Sequence, residues 1–348
     1  MLKKLILRII SALLIFGMLR SYVCAENSNV SGKLIIYVSS VDGDDTNDGR
    51  ISAPLKTLEE ARNKAIKAMN TNKFSAIDIV LRGGIYEREK PFYMGKESGG
   101  ADNLPVTYRG YDGESVIISG SKLLDSSVVQ RVYDRRILSR LAQDYAYDKL
   151  YAIDANLLDI TLSKEIMIGE DRLSDRDYGS RNPTIEIDGA VGRIARWPDN
   201  GYMGIKSVIS DGNVEGDVEE SAGAELELYQ DRMKYWQSDT AYMYGRYKTG
   251  WQDQALSIVS TDIEKKSVKT LDSPKSGIDK DAVSIYFYNI FEEISQSGEY
   301  YADVLNNKIY FCADSIDVLR LITLKEPLLE FENVSNVTFS NITFDGAL

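Results

Sequence analysis

Hydrophobic positions along this chain come in short runs of a few residues, each closed by Gly, Asn or a charged turn. Leu34–Val38, Ile77–Leu81, Arg82–Tyr86, Val106–Gly110 and Val116–Gly120 are the first of them. Branched and aromatic residues dominate these runs, which predicts strands. The stretch Pro327–Leu348 returns to the same texture. There Leu328, Leu329, Phe331, Val334, Val337, Phe339, Ile342 and Phe344 are punctuated by Asn333, Asn336 and Asn341. Early strand starts fall roughly 25 to 30 residues apart, inside the repeat range of solenoids. A coil of that kind cannot bury its apolar face alone and needs neighbours stacked on it. The pattern predicts a parallel β-solenoid, with a β-hairpin as the alternative for the last stretch.

Two segments depart from this pattern. After Pro54, Thr57 and Glu60 form a T-x-x-E capping box, and Leu58, Ala61, Ala65, Ala68 and Met69 share one stripe. That combination predicts an amphipathic helix that covers the open end of the stacked strands. From about Asp125 to Lys325 the sequence is charged and rich in Tyr. Strands are predicted there at Thr184–Ile187, Val191–Ala195, Leu256–Ser260, Val283–Tyr288 and Lys308–Phe311, separated by turns such as Asp188-Gly189 and Asn306-Asn307. The expected organisation is a leader at residues 1–25, a cap and first coils at 26–125, an inserted β-sandwich-like module at 126–325, and a resumed coil, cut short, at 326–348. The fold class is all-β.

The leader reads as a secretory signal peptide. Lys3, Lys4 and Arg8 precede the apolar run Ile9–Leu19, and Val23-Cys24-Ala25 offers a cleavage site. Secretion with no membrane anchor is the expectation; lipidation of Cys24 fits its approach sequence poorly. Without the leader the chain keeps 37 basic against 53 acidic residues, a formal net charge of −16. Such a surface repels nucleic acid. Cys312 is then the one remaining cysteine, so no internal disulfide forms. The chain contains no histidine. That removes Ser-His-Asp and Cys-His systems and zinc sites built on His, and leaves acid–base work to Asp, Glu, Lys or Tyr. No cofactor and no metal are expected. The acidic loop around Asp44, Thr46 and Asp48 imitates an EF-hand, but its twelfth position is Leu55, and Asx turns account for the composition.

Five passages carry a likeness to a known family. They are Tyr37-Val38-Ser39 with Gly43–Gly49, Pro54–Arg62, Leu81–Tyr86, Pro105–Tyr111 with Ile118-Ser119-Gly120, and Ile194–Tyr202 with its Arg-Trp-Pro core. Together they resemble the secreted right-handed parallel β-helix proteins of bacterial carbohydrate metabolism, above all β-helix glycoside hydrolases with a β-sandwich insert. The resemblance implies a polysaccharide or oligosaccharide partner and hydrolysis by paired carboxylates. In those relatives the catalytic carboxylates follow the insert, so none is assigned to residues 1–348. Polysaccharide lyases share part of the motifs, and a β-helix lyase or a non-catalytic carbohydrate-binding or surface protein remain alternative readings.

Asp345 stands on the returning coil, where a turn role before Gly346 competes with a groove role. Glu292 and Glu293 are adjacent and point apart, a poor catalytic pair. Arg82 and Arg109 suit salt bridges or a groove. Trp236, Tyr242, Tyr244, Tyr247 and Trp251 cluster with Arg246 and Lys248, and sugar rings stack on such faces, although core packing explains the alternation too. The candidate substrate-binding residues are Arg196, Trp197, Tyr202 and Trp251.

Overall fold

The computed structural model describes residues 32–163, 182–212 and 223–347; the expected signal peptide lies outside them. The described residues are mostly strand, with few helices. They form two compact units. The first takes in the chain through Tyr86, then Phe92–Ile118 and Leu329–Phe344. The second takes in Glu87–Pro91, Ser119–Leu328 and the residues from Asp345 on.

The first unit contains β1 (Lys33–Val38), α1 (Leu58–Met69), β2 (Ala76–Leu81), β3 (Gly84–Glu87), β4 (Phe92–Met94), β5 (Val106–Gly110) and β6 (Val116–Ser119). β1, β2 and β5 pair in parallel, and Val337–Ser340 adds in parallel beyond β5. One column of side chains runs through the sheet in register: Ile36, Ile79, Tyr108, Phe339. Leu329–Phe331 pairs in parallel with β4, and Thr343–Asp345 joins β6 and β3. Asn333, Asn336 and Asn341 turn the chain between these last strands at φ of 55°, 54° and 52°, the left-handed region that Asn tolerates better than other side-chain-bearing residues. Gly110 is required at the end of β5, because a Cβ there would lie 2.2 Å from the Asn341 carbonyl oxygen.

Each of the three last strands is the end strand of its sheet. Phe331 is 51% exposed and Phe344 is 38% exposed. Both pack on Phe339, which stacks on Tyr108 at 4.9 Å. In the preceding layer Phe92 and Tyr108 are buried.

α1 begins as its sequence predicts. The Thr57 hydroxyl accepts from the Glu60 amide at 3.2 Å, and Leu58, Ala61 and Ala65 are buried. The acidic loop serves this helix entry. Asp45 accepts from the Lys56 amide, the Thr57 amide and the Thr57 hydroxyl, while Asp44 accepts twice from Thr46. Arg82-Gly83 is a turn and not the start of a strand. The Arg82 side chain is drawn to Glu114, and β3 starts only at Gly84.

The second unit has three sheets. One runs Ala190–Val191, Thr184–Ile187, Leu319–Ile322, Ser121–Leu123; a second runs Arg193–Ile194, Glu299–Asp303, Lys308–Cys312, Leu150–Asp154, Val129–Arg131. The third has seven strands, with Arg196–Trp197, Ser284–Tyr288, Tyr242–Arg246 and Asp253–Asp262 leading. The expected strand Val191–Ala195 is therefore two short strands in different sheets. They break at Gly192, where a Cβ would meet the Ile185 side chain at 2.4 Å. The strands Leu150–Asp154, Glu299–Asp303 and Leu319–Ile322 were not expected from sequence. Alternation divides the seven-stranded sheet by face. Tyr242, Tyr244, Tyr286 and Tyr288 enter a core with Ile153, Ile309 and Phe311. Met243, Ile285 and Phe287 enter another with Leu226, Leu256 and Val268. No helix among the described residues is long and apolar enough to cross a membrane.

Candidate functional site

A cluster of aromatic rings with one exposed member, Tyr202, gathers where Arg196–Trp197 meets Ser284–Tyr288. Adjacent residues of an extended strand face opposite sides, and this splits the candidates. Arg196 lies on the tyrosine face, with its guanidinium carbon 3.6 Å from the Tyr286 ring centroid. Its Nε donates to the Pro198 carbonyl at 2.9 Å and its Nη2 donates to the Gly201 carbonyl. These bonds tie down the loop that carries Tyr202, whose ring centre lies 5.5 Å from Tyr286 and which is 55% exposed. Tyr286 also packs on Tyr244 at 5.3 Å, and the Tyr244 hydroxyl donates to Asp253 Oδ2 at 2.6 Å. Burial lowers the Arg196 pKa and pushes Tyr286 up to about 12. Burial, then the Asp253 bond, also raises Tyr244.

Trp197 goes the other way. It stacks on Phe287 at 6.1 Å and meets Trp236 edge-on at 6.2 Å, half-buried against the core on the face opposite Arg196. Trp251 is 73% exposed in the turn before Asp253. The structure thus brings Arg196 and Tyr202 together, places Trp197 on the opposite face, and leaves Trp251 as a separate exposed ring. Tyr286 and Asp253 were absent from the sequence reading, and Tyr244 was placed there in a cluster with Trp251 and not beside Tyr202. The signal for them was the alternation of Tyr242/Tyr244 and Tyr286/Tyr288, which places four rings on one face.

The carboxylates of the second unit serve mainly as ion-pair partners. Glu292 is fully buried and takes Arg140 Nη2 at 2.6 Å and the Ser238 hydroxyl at 2.8 Å. Glu293, equally buried, takes Arg232 Nη2 at 2.7 Å and Trp236 Nε1 at 2.7 Å. The two point to different partners. Glu299 pairs with Arg193 at 2.5 Å beside a groove of about 420 Å³. Asp199 lies in the same charged surroundings; burial first, then Glu299, raises its pKa. Asp345 ends the last strand, and its Oδ1 is buried without a hydrogen bond.

In the first unit, Arg82 forks onto Glu114 at 2.7 Å and lies 4.8 Å over Tyr111, beside a groove of about 460 Å³. Arg109 reaches the buried Asp78 at 3.0 Å. Both arginines make salt bridges. Among the described residues no group of three or more acidic, histidine or cysteine side chains is arranged to hold a metal ion.

Comparison with known proteins gives the following. No family model matches the chain. An uncharacterized protein of Bacillus subtilis, YwoF, is 26% identical over 214 residues, 59% of this chain and 37% of that protein. Pectate lyase PEL9 of Emericella nidulans is 35% identical over 125 residues, 34% of this chain and 27% of that enzyme. A solved glycoside hydrolase superposes on 90% of this chain and 51% of its own, with a TM-score of 0.61 and 18% identity. The fold is shared. The chain spans about a third of the length of the curated relatives it matches and about half of the solved hydrolase.

Proposed function

We propose that this chain is the N-terminal part of a secreted carbohydrate-active protein, a glycoside hydrolase built on a right-handed parallel β-helix with an inserted β module. The observation that carries the proposal is the column Ile36, Ile79, Tyr108, Phe339, one parallel register held through residues that flank the second unit in sequence. The hydrolase fold and the lyase relative, both named for carbohydrate chemistry, support the same class. Parallel coils lie about 4.8 Å apart, so carboxylates at one point of successive coils approach the separations of about 5–5.5 Å or roughly 6.5–9.5 Å that glycoside hydrolysis uses. The Phe331, Phe339 and Phe344 layer, in which Phe331 and Phe344 are exposed and each of the last strands ends its sheet, is shaped to receive such a coil. Glu292, Glu293 and Glu299 are each engaged by an arginine, which favours placing the reacting pair on further coils.

A β-helix lyase is the second reading, favoured by the 35% identity to a pectate lyase. Incubation of the full gene product with soluble polysaccharides separates the two. Reducing ends without ultraviolet absorbance from an unsaturated product support hydrolysis; absorbance that grows with cleavage assigns the lyase; neither would leave a binding role. Secretion is tested by N-terminal sequencing of protein from the culture medium, where a start after Ala25 is expected.

A further inference from the structure

We infer that the Tyr202 corner of the second unit is a binding subsite for an uncharged pyranose of a polysaccharide chain, with Tyr202 as its stacking face and Asp253 as its hydrogen-bond acceptor. This rests on the carbohydrate reading above and adds a place and a ligand class to it.

Tyr202 is built to be presented. Its ring leans on Tyr286 at 57° and 5.5 Å, a tilted contact that leaves much of its surface in solvent. The loop behind it is fixed by the two Arg196 bonds to Pro198 and Gly201. Below, Tyr286, Tyr244, Tyr288 and Tyr242 form a continuous column of rings into the core. An aromatic ring held rigidly offers a pyranose a flat apolar surface at small cost in side-chain entropy. Arg196 is thus a positioning residue, acting through the loop and Tyr286.

The charges select against a uronate. Recognition of a sugar carboxylate favours a guanidinium that offers a free two-donor fork. In Arg196 the Nε–Nη2 fork is occupied by two backbone carbonyls. Asp253 instead brings a carboxylate to the corner, bonded through one oxygen to Tyr244. That group accepts hydroxyl protons from a neutral sugar and repels an acidic one. Arg246 stands opposite Asp253 in the strand register and is exposed, so it places one positive charge beside that carboxylate. The whole chain carries a net charge of −12, which weighs the same way. Trp251, two residues before Asp253 in the chain, is a second exposed ring.

Affinity electrophoresis tests this, with gels containing xylan, galactan, a soluble glucan or polygalacturonate. At least one neutral polymer is expected to retard the protein and polygalacturonate is not. Tyr202→Ala should weaken that retardation about tenfold, Tyr202→Phe should preserve it, and Trp251→Ala should weaken it with an unchanged far-ultraviolet circular dichroism spectrum. Retardation by polygalacturonate alone overturns the ligand class and keeps the carbohydrate reading. Retardation by a neutral polymer that Tyr202→Ala leaves intact overturns the site. Retardation by none of the four overturns the inference, and the failure of the carbohydrate reading itself is then decided by product release from the same polymers.

Discussion

Replacing Arg232 by methionine isolates what the buried acids of the second unit do. Glu293 is fully buried and receives Arg232 Nε at 2.9 Å, Arg232 Nη2 at 2.7 Å and Trp236 Nε1 at 2.7 Å. Arg232→Met removes the positive charge and leaves a buried carboxylate with the indole as its one side-chain donor. Breaking a buried pair from one side costs about 3–5 kcal/mol. Arg232 is itself about one-fifth exposed, so the lower end applies. For a unit of this size about 3 kcal/mol corresponds to a fall in melting temperature of roughly 6–12 °C. The assay is thermal and urea unfolding of four proteins: wild type, Arg232→Met, Glu293→Gln and the double variant. The double variant should recover part of the loss, because no charge is then left unpaired. A shift of less than about 2 °C for Arg232→Met, or a double variant as unstable as the summed singles, would refute a structural role for the pair. Glu293 would then return as a candidate for chemistry.

Further tests follow from other parts of the structure. Burial first, then Asp345, raises the pKa of Glu186 above 4.5. Stability from this group is therefore full below the unfolded pKa and is lost as pH rises through the folded one. Glu186→Gln, neutral at every pH, should match wild type near pH 4 and melt progressively higher than wild type as pH rises; a constant difference in melting temperature would contradict this. Asp45→Ala, which deletes the three bonds at the helix entry, should cost about 1–2 kcal/mol, read by urea unfolding. Calcium should leave the wild-type melting temperature unmoved, since Asp44 and Asp45 already serve local donors; a calcium-dependent rise that Asp45→Ala abolishes would refute that. Asn341 has φ 52°, so Asn341→Ala should lose about 1 kcal/mol and Asn341→Gly should not, as measured by urea unfolding.

The parallel strands of the first unit were legible because their register is written in local residues. β-branched runs stop at Gly or Asn, and the cap box Thr57/Glu60 marks the helix without tertiary help. The three left-handed Asn positions were readable as turns for the same reason. The second unit was less so. Its strands were recognised where alternation was regular, as in Ser284–Tyr288, and passed over where polar residues are drawn inward. Glu299–Asp303 is wholly buried yet begins and ends in acids, because Arg193 neutralises Glu299 and Asn306 caps Asp303. The Arg196-Trp197 run shows the same limit at the candidate site. Sequence says that neighbours face apart; it does not say which side is core. Only the partner strand, with Phe287 opposite Trp197, decides that.

Cys312 ends its strand fully buried, among Leu150, Phe291 and Tyr310, and burial pushes its thiol up to about 12. It is the one cysteine among the described residues and scarcely forms a thiolate near neutrality. Among the described residues a cysteine placed on the surface would therefore be the one reactive thiol, while Cys24 lies outside them and leaves with the leader in the secreted form proposed above. Trp251→Cys or a neighbouring turn position could take a maleimide fluorophore or a spin label directly. The buried thiol thus makes the molecule a ready background for single-site spectroscopic reporters, in which a change of dye emission on adding a polymer would register contact at the turn itself.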